Sequence, residues 1–88
     1  MVLAIDIGNT HIVVGCFQKD RIVFVERIST NRTNTTLEYA VSFKTILEIY
    51  QIPVSEIEGN IIASVVPSVT NTVKRAVETI TKQETLLI

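Results

Sequence analysis

Three runs rich in Val and Ile follow one another at the start of the chain: Val2 to Asp6 (VLAID), His11 to Phe17 (HIVVGCF) and Arg21 to Ile28 (RIVFVERI). Runs of this composition, bounded by turn residues, read as strands. The connections around Gly8-Asn9 and at Gln18-Lys19-Asp20 hold only a few residues. Parallel neighbours need a crossover of about a dozen residues or more, so these strands can only pair antiparallel. A three-stranded meander is therefore the foundation, and every later element must extend or cover it.

The polar run Ser29 to Thr36 comes next and contains Thr35 and Glu38 at capping-box spacing. In that arrangement the Thr hydroxyl accepts from the third helical N–H, and the Glu side chain reaches back to the cap N–H. A helix is predicted from there. Leu37, Ala40, Val41, Phe43, Leu47 and Tyr50 recur at helical spacing, and the helix must stop near Gln51-Ile52-Pro53, because the residue before Pro avoids the α region. Gly59 then introduces Asn60 to Val66 (NIIASVV), a continuous apolar run of the kind covered on both faces in a parallel arrangement. Pro67 suits the first position of a second helix, whose stripe is Val69, Val73, Ala76, Val77 and Ile80, with Lys74 and Arg75 facing out. Residues Gln83 to Ile88 turn apolar again and read as a buried fifth strand. A chain that stops inside a buried strand is expected to be a piece of something longer.

The layout is βββαβαβ: a meander followed by two crossover units adding parallel strands to one edge. Right-handed crossovers place both helices on the faces of one mixed sheet. This α/β pattern matches the ribonuclease H-like half-domain also used by the sugar-kinase, Hsp70 and actin ATPases. At 88 residues the chain is one domain or less. With no Trp and few aromatic residues, its core must come from Val, Ile, Leu and Ala.

Charge and cysteine content remove several function classes. The formal net charge is −1 and the basic residues are dispersed, so no clustered basic face exists to displace counterions from a nucleic acid. The single Cys16 lies inside an apolar strand pattern with no Lys, Arg or Cys-x-x-Cys context to lower its pKa, and reads as a small buried hydrophobe. Met1 leads into a strand without a basic leader, and no apolar stretch approaches the ~18 residues needed to cross a bilayer. A cytoplasmic protein with no membrane partner is expected, which makes the sequons at Asn31 and Asn34 chance matches.

The chemistry-bearing stretch is IDIGNTH, residues 5 to 11. Two readings are open. In one, Gly8-Asn9 makes a tight turn that Asp6 helps to close, as Asx residues do. In the other, Asp6 faces a hydrated Mg²⁺, Gly8 lets backbone approach an anion, and Asn9 and Thr10 supply donors, as phosphoryl transfer requires. Neither G-x-x-x-x-G-K-[ST] nor G-x-G-x-x-G occurs. An acid near the end of a central strand is costly unless satisfied or used, which favours a functional Asp6. A two-metal nuclease needs carboxylates from the first strand, first helix and fourth strand. Asp6 with Glu38 or Glu48 supplies two of these, but Asn60 to Val66 has no acid. His11 has no Ser, Cys or Asp partner at useful spacing and reads as structural; Tyr39 and Tyr50 read as core.

The segments AIDIGNTHIVVGCF, RISTNRTNTTLEYA and IEGNIIASVVPSVTNTV, in this order and with these gaps, resemble the N-terminal part of the type III pantothenate kinases, the family that also contains the Bvg accessory factors. The likeness covers essentially the whole chain, and the pairing of D-x-G-N-T with Ser64-Val65-Val66-Pro67 is its most specific part. What the resemblance implies is a cytoplasmic homodimer that moves the γ-phosphoryl group of ATP to pantothenate, the first step toward coenzyme A, using Mg²⁺ and a monovalent cation (K⁺ or NH₄⁺). By the same resemblance the ATP-gripping loop is Asp6, Ile7, Gly8, Asn9, Thr10, His11, Ile12 and Val13, with Asp6 nearest the metal. Some relatives carry a basic residue in place of Val13, and many an acid in place of Leu37. The family's G-x-D-R motif, which holds the catalytic base and pantothenate contacts, does not occur in residues 1–88, nor does the acid for the monovalent cation. Residues 1–88 are thus expected to be an ATP-binding half-domain, catalytically silent alone, with the base beyond Ile88. The alternative is a non-catalytic nucleotide-binding regulatory module, since one scaffold hosts many functions.

Overall fold

A computed structural model describes residues 1–88. Strands β1 (Val2–Ile7), β2 (His11–Gln18) and β3 (Arg21–Ser29) form the antiparallel meander; β4 (Gly59–Ser64) pairs parallel to β1, and β5 (Thr85–Leu87) parallel to β4. The sheet order is β3-β2-β1-β4-β5, with β1 at the centre. Helix α1 (Thr36–Ile49) carries the chain from β3 to β4, and α2 (Pro67–Thr81) from β4 to β5. Both crossovers step the same way along the sheet, so two connections of one hand put both helices on the same face.

That face holds the core. Leu3, Ile5 and Ile7 of β1, Ile12, Val14 and Cys16 of β2 and Ile62 of β4 meet Tyr39, Phe43 and Leu47 of α1 and Val69, Val73 and Val77 of α2 in a single buried cluster. Burial pushes the Cys16 thiol pKa up, in keeping with a small core hydrophobe. The start of α1 is the predicted capping box: Glu38 N–H donates to Thr35 Oγ1 at 3.2 Å and Thr35 N–H to Glu38 Oε1 at 2.8 Å. Helix α2 starts differently, on Val66 with no side-chain cap and with Pro67 in the first turn.

The opposite face carries no helix. Here Phe17, Ile22 and Val25 stay exposed, and an open concavity of about 320 Å³ runs past Ala4, Asp6, Val13 and Ile61. Gly15 belongs to this face, where a Cβ would lie 2.9 Å from the Phe17 ring, so the glycine is what lets that ring settle over the strand. The expectation that Asn60 to Val66 is covered on both sides is therefore corrected: Ile62 is buried, while Ile61 and Ala63, which alternate with it, face the open side half-buried. The fifth strand is an edge and not a buried strand, with Leu86 64% and Leu87 46% exposed. Helix α1 is also rotated from its predicted stripe. Tyr39 and Ile46 point inward, whereas Leu37 and Val41 face solvent and Tyr50 lies half-exposed against the Phe24 ring.

Candidate functional site

In an open α/β sheet the carboxyl ends of the parallel strands are where ligands bind. At that end of central β1 the chain passes through Gly8, Asn9 and Thr10 before β2 begins at His11. The connection is a three-residue loop closed by Gly8 N–H donating to the His11 carbonyl at 2.9 Å, and none of its residues takes a positive φ. The tight turn expected at Gly8-Asn9 is thus present, as a three-residue loop. Gly8 is held tightly for another reason: a Cβ there would meet the His11 carbonyl oxygen at 3.1 Å.

Asp6 takes no part in closing the turn. Its carboxylate accepts no hydrogen bond, and the residue points exposed from the helix-free face while its neighbours Ile5 and Ile7 fill the core. The burial cost expected for an acid in a central strand is thus avoided by strand alternation, and Asp6 stands free in solvent. The N–H groups of Asn9 and Thr10 are also uncommitted within the chain. One carboxylate at the end of β1 and two backbone donors on the loop that follows it remain unpartnered within the chain. His11 is exposed and contributes only backbone bonds, whereas Ile7 and Ile12 are fully buried, main chain included, and the Ile7 carbonyl accepts from Val65 N–H. Val13 is half-buried on the open face, directly across from Asp6.

The loop is held by residues that the sequence reading did not assign to it. Thr30 N–H donates to the Thr10 carbonyl at 2.9 Å, and its hydroxyl to the Gly8 carbonyl at 2.7 Å. Arg32 Nη2 donates to Asn9 Oδ1 at 3.2 Å. The segment carrying both is pinned by α1: the Tyr39 hydroxyl donates to the Asn31 carbonyl at 2.7 Å and accepts from Asn31 N–H at 2.9 Å. Asn31 Oδ1 in turn accepts from the N–H and hydroxyl of Thr33, at 2.9 and 2.8 Å. On the other flank Val65 N–H donates to the Ile7 carbonyl at 3.1 Å, while Ser64 Oγ accepts from Val66 N–H and the Thr70 hydroxyl at 3.0 and 2.8 Å. The segments RISTNRT and SVVP thus brace the IDIGNTH loop from two sides. Glu38, one of the acids a nuclease would need, is taken up by the helix cap, and no three His, Cys, Asp or Glu side chains converge anywhere in the chain.

A match to the type III pantothenate kinase family model covers residues 2–88. The chain belongs to this family. Among curated proteins it is 40% identical over 88 residues to a type III pantothenate kinase of Finegoldia magna, covering 100% of this chain and 34% of that protein. It is 45% identical over 69 residues to one of an Exiguobacterium strain, covering 78% of this chain and 27% of the relative. The chain thus spans about a third or less of the curated relatives it matches. Among solved structures, a ROK hexokinase of Thermus thermophilus superposes on 99% of the chain and 34% of its own, with TM-score 0.71 at 15% identity. A Bacteroides thetaiotaomicron protein with an actin-like ATPase fold and unknown function does so on 99% and 32%, with TM-score 0.63 at 8% identity. These likenesses place the fold among the actin-like ATPases and sugar kinases, as the βββαβαβ order predicts. Within this family chain, Thr30 and Tyr39 lie in a polar run and an apolar helix whose sequence patterns describe only a connection and a core; the signal that links them to the loop is tertiary.

Proposed function

We propose that residues 1–88 are the N-terminal, ATP-binding half-domain of a two-domain kinase that moves the γ-phosphoryl group of ATP to the terminal hydroxyl of pantothenate. The observation that carries this reading is the braced Asp6–Thr10 loop at the carboxyl end of the central strand, in a chain of this family. Such transfer asks the protein chiefly to position the nucleotide and to meet charge on its phosphates. The free N–H groups of Asn9 and Thr10 and the Thr10 hydroxyl would donate to phosphate oxygens. Arg32 would hold Asn9 in place, and Thr30 would keep the loop from yielding. A lone exposed carboxylate fits Mg²⁺, which keeps several waters and binds through one or two carboxylates together with substrate phosphates. Asp6 would face that ion, whose chemistry when bound is to offset phosphate charge.

Residues 1–88 do not contain the G-x-D-R motif. We therefore assign the base that accepts the pantothenate proton, the pantothenate contacts and the site for K⁺ or NH₄⁺ to polypeptide after Ile88. Cytoplasmic location and homodimeric assembly belong to the same proposal. No helix in the chain is long and apolar enough to cross a membrane.

The test is coupled ADP production by the complete polypeptide. Asp6→Asn is expected to lower pantothenate-dependent turnover about a hundredfold, the scale of removing one electrostatic contact to developing charge, with an unchanged unfolding midpoint. Residues 1–88 alone are expected to give no pantothenate-dependent ADP. Unchanged kinetics in Asp6→Asn would leave the loop as a turn only.

A further inference from the structure

Strand register aligns three side chains on the helix-free face. Asp6 of β1 lies opposite Val13 of β2, and Val13 opposite Arg27 of β3. Residues directly opposite one another in paired strands share a face. With strands spaced about 4.8 Å apart, the Asp6 and Arg27 backbones are about 10 Å apart with only the short Val13 between them.

Neither charge is used within the chain. The ion pairs present are Met1 with Glu58 and Lys74 with Glu78. Glu26, the acid beside Arg27, projects from the opposite side of the strand, where its carboxylate accepts from the Tyr50 hydroxyl at 2.7 Å and from Arg27's own N–H at 3.2 Å. It therefore does not neutralise the Arg27 guanidinium. An acid and a guanidinium that face the same way across an apolar floor, and form no ion pair with each other, suit a ligand presenting a cation to one and an anion to the other. A metal-bound polyphosphate has that charge pattern, and guanidinium matches phosphate with a fork of N–H donors that an ammonium lacks.

We propose that Arg27 is a phosphate-binding residue of the Asp6 site, its guanidinium taking a phosphate oxygen of the nucleotide while Asp6 faces the metal-bound side. This rests on the nucleotide reading above and adds to it a cation from β3, outside the loop itself. Arg27 is exposed, so its replacement leaves the core untouched.

Titration calorimetry of the complete polypeptide with ATP and Mg²⁺, at several salt concentrations, tests it. Arg27→Gln is expected to weaken ATP binding about tenfold and to flatten its salt dependence, because one charge contact is removed. Arg27→Lys should recover part of both. An Arg27→Gln protein that binds ATP as tightly as the parent overturns the proposal, and so does one that loses affinity at unchanged salt dependence. If the parent itself binds no ATP, the nucleotide reading fails, and Arg27 with it.

Discussion

The two faces of the sheet share every strand yet carry different chemistry. On the helix side, Leu3, Ile5 and Ile7 disappear into a core closed by Tyr39, Phe43, Val73 and Val77. On the other side, the residues between them leave Ala4 half-buried and Asp6 in solvent, next to Val13 and Arg27. The period of two along β1 lets one strand present a buried wall on one side and an open surface on the other. A shift of one residue in its register would exchange the two roles completely. Core and candidate site are thus separable at neighbouring positions, and substitutions can show how far.

The largest expected contrast is between Ile5 and Asp6. Ile5 is 2% exposed, and Ile5→Ala should cost about 3 kcal/mol through lost burial and the cavity left behind. Asp6→Asn removes no contact in the chain and should change stability by less than about 0.5 kcal/mol. Urea unfolding of both variants measures the contrast. A strongly destabilised Asp6→Asn would mean that the open face is not independent of the core.

Tyr39 sits where the two regions meet, which gives the next effect in size. Its ring is fully buried and stacks near Phe43, with centroids 6.0 Å apart, while its hydroxyl holds both backbone groups of Asn31. Tyr39→Phe keeps the ring and should cost about 1–2 kcal/mol, because Asn31 loses a donor and an acceptor together. Its functional effect should be larger than its distance from Asp6 suggests: segment 30–33 loosens, and Thr30 and Arg32 hold the loop less firmly. ATP affinity is expected to fall several-fold. Unaltered affinity with reduced stability would confine Tyr39 to packing.

These positions also explain what the sequence disclosed and what it did not. The meander, the capping box at Thr35 and the Pro67 helix start are local devices, set by residues within a few positions of one another, and each is present as expected. Helix rotation is a tertiary choice. Helix α1 has more apolar residues than one stripe can hold, and the rings of Tyr39 and Phe43 take the inward positions, leaving Leu37 and Val41 outside. Continuous apolar composition in NIIASVV could not reveal that only one face of β4 meets a helix within these residues. The loop IDIGNTH was legible as a candidate, whereas its support by Thr30, Arg32 and Tyr39 depends on how β3 delivers the following segment beside β1 and β2. Nothing in the polar spacing of Ser29 to Thr36 encodes that meeting.

The smallest predicted effect lies on the face that Arg27 does not share. The Tyr50 hydroxyl donates to Glu26 Oε1, and the Tyr50 ring stacks on Phe24 with centroids 4.5 Å apart. The hydrogen bond from Tyr50, with a second from Arg27 N–H, lowers the Glu26 pKa below its usual 4.5, and the same bond raises that of Tyr50 above 10.0. A carboxylate with a depressed folded pKa stabilises the fold above its unfolded value and loses that contribution as pH falls through the folded one. The tyrosine contribution is intact below its unfolded pKa and is lost as pH rises through the raised folded value. Tyr50→Phe keeps the stack and removes only the bond. The stability difference between parent and variant should therefore be flat from about pH 5 to pH 9 and narrow below about pH 4 and above about pH 10. Urea midpoints across that range measure it, and a difference that stays constant down to pH 3 would show that Glu26 and Tyr50 do not share a proton-sensitive bond in solution. Because Glu26 faces away from Asp6, ATP affinity in Tyr50→Phe should match the parent at every pH in the flat range.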